Sequence, residues 1–294
     1  MSIVTEIRGH EKDLGGGFRV SRLLPSLERQ SVGPFVFFDH FGPVTVEPAS
    51  NFDVRPHPHI GLATVTFLFD GAMMHRDSLG NAQRIEPGAI NWMNAGRGIV
   101  HSERRPDDLR GTRYVNHGLQ LWVALPRAAE ESEPSFVHTP ADRLPLFTES
   151  GVGVRVLVGE AFGRRSPVAT HAPTLYVALN FPVGGGALTV PPLAGQLAAY
   201  AVDADVAIDD RPLRRGVLAV LDADRPTRLG AAGAAHVVLI GGEPLDGRRH
   251  MWWNFVSSRK ERIVAAADDW AAMRMGRVDG DAEFIPLPDK RPEL

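Results

Sequence analysis

The chain has 294 residues, 44% of them hydrophobic and 23% charged, with a formal net charge of −3 and no cysteine. These values fit one large globular domain or two medium ones, with enough core to fold without a structural metal or a disulfide. They exclude zinc fingers, iron–sulfur clusters and thiol catalysis, and the lack of any basic block argues against direct nucleic-acid binding.

The first residues, Met1 to Arg8, lack a basic stretch followed by an apolar one, and no apolar run approaches the ~18 residues of a membrane span. A cytoplasmic protein with no membrane segment is therefore expected. A short helical turn is predicted over Glu6–Asp13. After it, brief runs that alternate or are rich in β-branched residues recur between glycines and prolines. In the first half these are Val20–Leu24, Phe35–Asp39, Ala63–Phe69, Ala89–Met93 and Leu119–Leu125. A second short turn is predicted at Arg143–Leu146. The later runs are Arg155–Val158, Leu175–Asn180, Ala187–Val190, Ala198–Val202, Val217–Leu221 and His236–Ile240. Many short strands between turn residues predict an all-β sandwich or barrel. One helix is expected near the end, opened by the capping-box spacing Ser258-Arg-Lys-Glu261, continued by Ile263, Ala266, Ala267, Trp270 and Met273, and stopped at Gly276. The turns of the two halves have similar spacing, so the chain reads as a weak repeat, with residues 1–136 as one barrel and 137–294, helix included, as the other.

The chemistry concentrates in the first half. Arg55-Pro-His-Pro-His-Ile-Gly61 places His57 and His59 two apart, and Gly98-Ile-Val-His-Ser-Glu103 places His101 and Glu103 two apart. Residues i and i+2 of a strand point to one face. Two such strands side by side offer three imidazoles and a carboxylate to one first-row transition metal. Iron(II) is favoured by that mixture, with Mn, Ni, Cu and Zn as alternatives. Four protein ligands leave coordination positions open, which suits small-molecule binding or catalysis. If the strand runs on without a break, Gly61, Ala63, Val65, Phe67 and Phe69 share the histidine face and line an apolar interior.

Other residues read more blandly. His75 and Asp77 form a His-x-Asp pair, either supporting the ligands from behind or lining a pocket. His40 reads as a core or supporting histidine. Gln120 and Trp122 fall on the face opposite Leu119, Leu121 and Val123, on the far side of the sheet or at a domain interface. His10, His138, His171, His236 and His250 are isolated, and Trp252-Trp253 reads as packing.

Several segments carry a resemblance. They are Phe37-Phe-Asp-His-Phe-Gly-Pro43, Arg55-Pro-His-Pro-His-Ile-Gly61, His75-Arg-Asp-Ser-Leu-Gly80, Asn91-Trp-Met-Asn-Ala-Gly-Arg-Gly-Ile-Val-His-Ser-Glu103 and Gly118-Leu-Gln-Leu-Trp122. Gly241-Gly-Glu-Pro-Leu245 and Trp253-Asn-Phe-Val-Ser-Ser258 extend it across nearly the whole chain. The sequence resembles the pirin family of the cupin superfamily. The resemblance implies two jelly-roll-like cupin β-barrels packed face to face with a C-terminal helix, and one iron in the N-terminal barrel held by His57, His59, His101 and Glu103. It implies no metal in the second barrel, which has neither ligand pair. The sequence departs from the usual H-P-H-R-G-F-E in having Ile60 and Ala63 where Arg and Glu are common.

Two functions follow from the resemblance. One is an iron-dependent dioxygenase of the quercetin 2,3-dioxygenase kind, which opens a flavonol ring with O2 and releases carbon monoxide, with Glu103 as the catalytic base. The alternative is a non-catalytic iron-binding module that regulates a protein partner. A small aromatic substrate, O2 and a monomeric chain are the expectations for the first.

Overall fold

The computed structural model describes residues 2–15 and 17–291. All eleven runs read as strands from the sequence are strands. The helix is Lys260–Ala271, and it is the only α-helix among the described residues. None of them forms a helix long and apolar enough to cross a membrane. The architecture is two cupin units, each built on a seven-stranded and a four-stranded sheet.

The unit that carries the histidine pairs comprises Lys12–Val20, His40–His138 and the chain from Leu245 onward. Its four-stranded sheet runs Val54–His59, Ile99–Arg104, Met73–Asp77, Ala82–Ile85, with neighbours antiparallel. Val54–His59 sits at the edge, which explains how it tolerates Pro56 and Pro58. Proline has no N–H to give a second neighbour, so in sheets it is confined to edges and bulges. The seven-stranded sheet has the order Ser135–Thr139, Ile90–Asn94, Leu62–Asp70, Tyr114–Ala124, Phe35–Val46, Arg19–Leu24, His10–Asp13.

The other unit comprises the stretch up to Glu11, Ser21–Asp39 and Thr139–Pro244. Its large sheet runs Ile3–Arg8, Val217–Leu221, Gln196–Ala201, Ala235–Gly242, Thr174–Phe181, Val152–Val158, Leu146–Glu149. Its small sheet runs Gly186–Val190, Thr227–Ala231, Val206–Ile208, Arg211–Leu213. Alternate residues of these strands, among them Val154, Val177, Leu188, Ala199, Leu229 and Leu239, make one apolar core. Where the first unit has histidines, the described residues of this interior are aliphatic or aromatic.

Four expectations are corrected. Glu6–Asp13 is not a helical turn. Ile3–Arg8 pairs with Val217–Leu221, and His10–Asp13 extends the seven-stranded sheet of the first unit. The capping box does not form: Arg259 is the N-cap without a side-chain bond, and the Ser258 hydroxyl and N–H are committed to Glu130. The helix stops at Ala271, short of Gly276. Finally, a split at residue 136 does not describe the termini. The strand Ile3–Arg8 belongs with the later unit, and the C-terminal helix belongs with the earlier one. Ile263, Ala266, Ala267 and Trp270 bury against Ile60, Val100 and Phe255, and the Trp270 indole N–H donates to the Ile285 carbonyl at 2.9 Å. Burying an apolar stripe is what holds a short helix in place, and the apolar partners lie beside the histidine strands. Trp252 and Trp253 pack against the same cluster, in line with their reading as packing.

Candidate metal centre

The strands Val54–His59 and Ile99–Arg104 lie side by side with His57 opposite His101 and Ile99 opposite His59. The register slips between His101 and Glu103, so that Glu103 falls opposite Val54. The slip spans Arg55 and Pro56, as expected where a proline interrupts the ladder. His57, His59 and His101 are all buried, and one ring nitrogen from each lies within 4.8 Å of the others. Ring centroids are 5.0 Å apart for His57–His59, 4.4 Å for His57–His101 and 5.0 Å for His59–His101.

Hydrogen bonds on the far side of each ring decide which nitrogen is free. His57 Nδ1 lies 2.9 Å from the Arg55 carbonyl, and His59 Nδ1 lies 3.2 Å from the Asn254 carbonyl. A carbonyl only accepts, so both Nδ1 atoms carry the proton and both Nε2 atoms present lone pairs. His101 Nε2 is fully buried and has no hydrogen-bond partner among the described residues. An orphaned buried acceptor is costly in an apolar setting. Three convergent imidazole nitrogens, one of them orphaned, fit a first-row transition ion of the kind that imidazole ligates.

Burial lowers the pKa of His57 to about 4. It pushes His59 and His101 well below the usual imidazole value, and the neighbouring histidines add to the effect. All three are therefore neutral at pH 7, the form that binds metal.

Glu103 is on the same strand two residues beyond His101, but its carboxylate is outside the set of atoms within 4.8 Å of one another. It is opposite His75 in the register, and burial raises its carboxyl to about 7. His75 is behind His101, with the two Nδ1 atoms 3.4 Å apart. Asp77 is opposite His101, and its carboxyl is lowered: burial opposes this, but hydrogen bonds from His75 and Asn81 outweigh it.

The surroundings of the triad differ from the sequence expectation. The strand does not run on past His59. Gly61 has φ +68° and breaks it, and the next strand, Leu62–Asp70, belongs to the other sheet. A Cβ on Gly61 would lie 2.0 Å from the Val256 carbonyl oxygen, so only glycine fits both the conformation and the space. After this break the faces are exchanged. Trp122 lies edge-on to His59 at 5.2 Å. Thr64 is opposite Trp122 and Met93, and Thr66 is opposite Gln120 and Asn91. The Thr66 hydroxyl donates to Gln120 Oε1 at 2.8 Å, and Asn91 Oδ1 bonds His138 Nδ1 at 2.7 Å. The wall beside the histidines is thus partly polar, and Gln120 and Trp122 belong to it. Ala63, Val65, Phe67 and Phe69 alternate onto the opposite face; Phe67 is opposite Leu119, and the Phe69 ring lies 4.8 Å from that of His117, tilted by 36°. His117 in turn bonds His40, Nε2 to Nε2, at 2.8 Å. Ile60, at the position of the family's usual arginine, turns into the apolar cluster under the helix.

Sequence reasoning missed the Asn254 carbonyl. It comes from the turn between His250–Trp252 and Phe255–Ser257, and a backbone group carries no sequence signal. The polar alternation Thr64-x-Thr66 was the available signal for the polar wall.

Comparison with known proteins gives a consistent result. Residues 17–123 match the family model described as Pirin, and residues 180–276 match the Pirin C-terminal cupin domain. A pirin-like protein of Caulobacter vibrioides is 45% identical over 283 residues, covering 95% of this chain and 96% of that one. Pirin of Rattus norvegicus is 34% identical, covering 93% of each. The crystal structure of a quercetin 2,3-dioxygenase from Acinetobacter baumannii superposes with a TM-score of 0.91 at 33% identity, covering 99% of this chain and 97% of that one.

Proposed function

Because the chain belongs to the pirin family, we propose that it is an iron(II)-dependent dioxygenase that opens a flavonol-type aromatic ring with O2, its metal held by His57, His59, His101 and Glu103. The observation that carries this reading is the buried, unpartnered Nε2 of His101 beside two imidazoles whose tautomers point the same way. The likeness to a quercetin 2,3-dioxygenase over nearly the full length of both chains supports the reaction class.

A first-row ion held by His57, His59, His101 and Glu103 would supply a Lewis acid for a substrate hydroxyl and a redox partner for O2. The chain's own groups do the rest. Glu103 accepts the proton of the substrate hydroxyl as that oxygen approaches the triad. Trp122 and Met93 form an apolar wall that excludes water from the reacting ring. Thr64, Thr66, Gln120 and Asn91 share that face, and their polar groups orient the remaining oxygens of a polyhydroxylated substrate. Tight apolar walls with a few placed polar groups are the usual form of such sites.

Protein loaded anaerobically with iron should consume O2 on addition of a flavonol and release one carbon monoxide per O2, above a free-iron control. Glu103→Gln, assayed at an iron concentration that saturates the three remaining histidines, should lose about 100-fold or more in turnover, the usual scale for removal of a general base. Full turnover in that variant would remove Glu103 from the base role. No turnover by the wild type, with specific retention of a protein partner, would favour the regulatory module instead.

The ligand role of Glu103 has its own test. To ligate, Glu103 must shed a proton that burial makes it hold up to about pH 7, whereas the three histidines are already neutral. Metal affinity should therefore fall by about tenfold per pH unit below pH 7 in the wild type, and should stay flat in Glu103→Gln. Calorimetric titration with Mn(II) between pH 5.5 and 7 reads the slope. A flat wild-type profile would remove Glu103 from the ligand set.

A further inference from the structure

We infer that His75 and Asp77 are positioning residues for the metal centre: they form a carboxylate–histidine chain that sets the tautomer and ring orientation of His101, so that its Nε2 faces the ion. The inference rests on the reading of His57, His59 and His101 as metal ligands.

The direction of the chain follows from which atoms can donate. Asp77 Oδ1 accepts from the Leu79 N–H at 2.9 Å, the Asn81 N–H at 3.1 Å and Asn81 Nδ2 at 3.0 Å. Its Oδ2 accepts from Asn81 Nδ2 at 2.9 Å. A carboxylate so surrounded by donors is fixed as an acceptor. The fifth contact, to His75 Nε2 at 2.9 Å, must then have the proton on the histidine. Of the two facing Nδ1 atoms, 3.4 Å apart, one must accept; with the His75 proton placed on Nε2 by Asp77, that acceptor is His75 Nδ1. His101 consequently carries its proton on Nδ1, and its Nε2 is left with a lone pair. That is the same Nε2 that lies buried without a partner. The contact is long for a hydrogen bond, so its role is orientation more than attraction.

The chain is also mechanically fixed. His75 is stacked on Phe136 at 4.1 Å with an interplanar angle of 10°, and both His75 and Asp77 are buried. Their strand, Met73–Asp77, pairs directly with Ile99–Arg104, Asp77 opposite His101 and His75 opposite Glu103. His75 is not a fourth imidazole ligand here. Its Nε2 is bound to Asp77, its Nδ1 faces the back of His101, and it is outside the triad. Backbone carbonyls do the same work for His57 and His59. His101 alone has its orientation set by side chains, and so by residues that mutation can remove.

The test compares two substitutions at one position. His75→Phe keeps a flat ring on Phe136 but can neither donate to Asp77 nor accept from His101. His75→Gln keeps both, its amide N–H donating to Asp77 and its carbonyl accepting from His101. Co(II) is titrated anaerobically into each protein, with the affinity and the d–d absorption bands as readouts and circular dichroism of the metal-free protein as the folding control. His75→Phe should bind Co(II) about 10- to 100-fold more weakly, the usual cost of losing a ligand's supporting hydrogen bond, with altered bands. His75→Gln should stay within a few-fold of the wild type with its bands restored. Should His75→Phe not fold, Asp77→Asn decides: its amide can present N–H to His75 Nε2, reverse the chain and weaken binding on the same scale. Wild-type affinity and bands in His75→Phe, or in Asp77→Asn where that variant decides, would overturn the inference, as would equal loss in His75→Phe and His75→Gln. Failure of the wild-type protein to bind Co(II) at all would instead overturn the reading beneath it.

Discussion

Replacing His57, His59 and His101 together by alanine is expected to abolish stoichiometric metal binding, and each single replacement should cost more than the roughly 10- to 100-fold that follows loss of a supporting contact. The reason is geometric: the three nitrogens converge within 4.8 Å, so each removal opens a gap that no other group among the described histidines and carboxylates is placed to fill. Metal-induced stabilisation should vanish with the site, because a ligand at 100 times its Kd adds about 2.7 kcal/mol to the folded state only. The same side chains make the metal-free protein acid-sensitive. Their pKa values are lowered by burial, so below pH ~6.5 the unfolded chain takes up protons that the folded one refuses. Their contribution to stability is present above that pH and is lost as pH falls. Glu103, whose carboxyl is raised, acts in the opposite sense and offsets part of the loss. Metal-free wild type should therefore lose stability between pH 6.5 and 5 more steeply than the triple variant. Equal steepness in urea unfolding would count against three buried neutral imidazoles.

Replacing Glu130 by alanine is expected to cost about 3–5 kcal/mol, the scale for removing one partner of a buried ion pair. Glu130 and Arg249 are each 3% exposed and 2.8 Å apart. Glu130 also accepts from the Ser258 N–H at 2.8 Å and from the hydroxyls of Ser257 and Ser258 at 3.0 Å. Without it the buried Arg249 charge is left with Asp246 and the Leu125 and Gly247 carbonyls alone, and the end of the hairpin His250–Ser257 loses its anchor. That hairpin brings the Asn254 carbonyl to His59, so metal affinity should fall together with stability. Scanning calorimetry should show the midpoint lowered by roughly 10 °C, and a loss under ~1 kcal/mol would mean that Asp246 alone compensates the buried charge.

How far the sequence could be read depended on the range of the interactions concerned. Strand positions were legible because alternation and turn residues are local. The triad was legible because i, i+2 spacing fixes the face of a strand, and two such pairs are rare by chance. The wall was misread at a single residue. Gly61 adopts a positive φ and moves the chain to a second sheet, so Thr64 and Thr66, not Phe67 and Phe69, come to the triad's side. The helix was legible in its apolar spacing, but its partners were not. Ile60 and Val100 lie 160 or more positions earlier, and nothing local marks them as its bed. The Ser258 hydroxyl could have served as a cap, yet Glu130, 128 residues away, claims it. Ile60 marks the same limit: as a departure from a family motif it looked like a lost charge near the site, and in the fold it is a core residue beneath the helix.

The most direct test of this account is X-ray absorption at the metal edge of wild-type protein titrated anaerobically with iron(II). It predicts one ion per chain with three imidazoles among its ligands. Uptake well below one ion per chain, or a bound ion with fewer than three imidazoles, would contradict it.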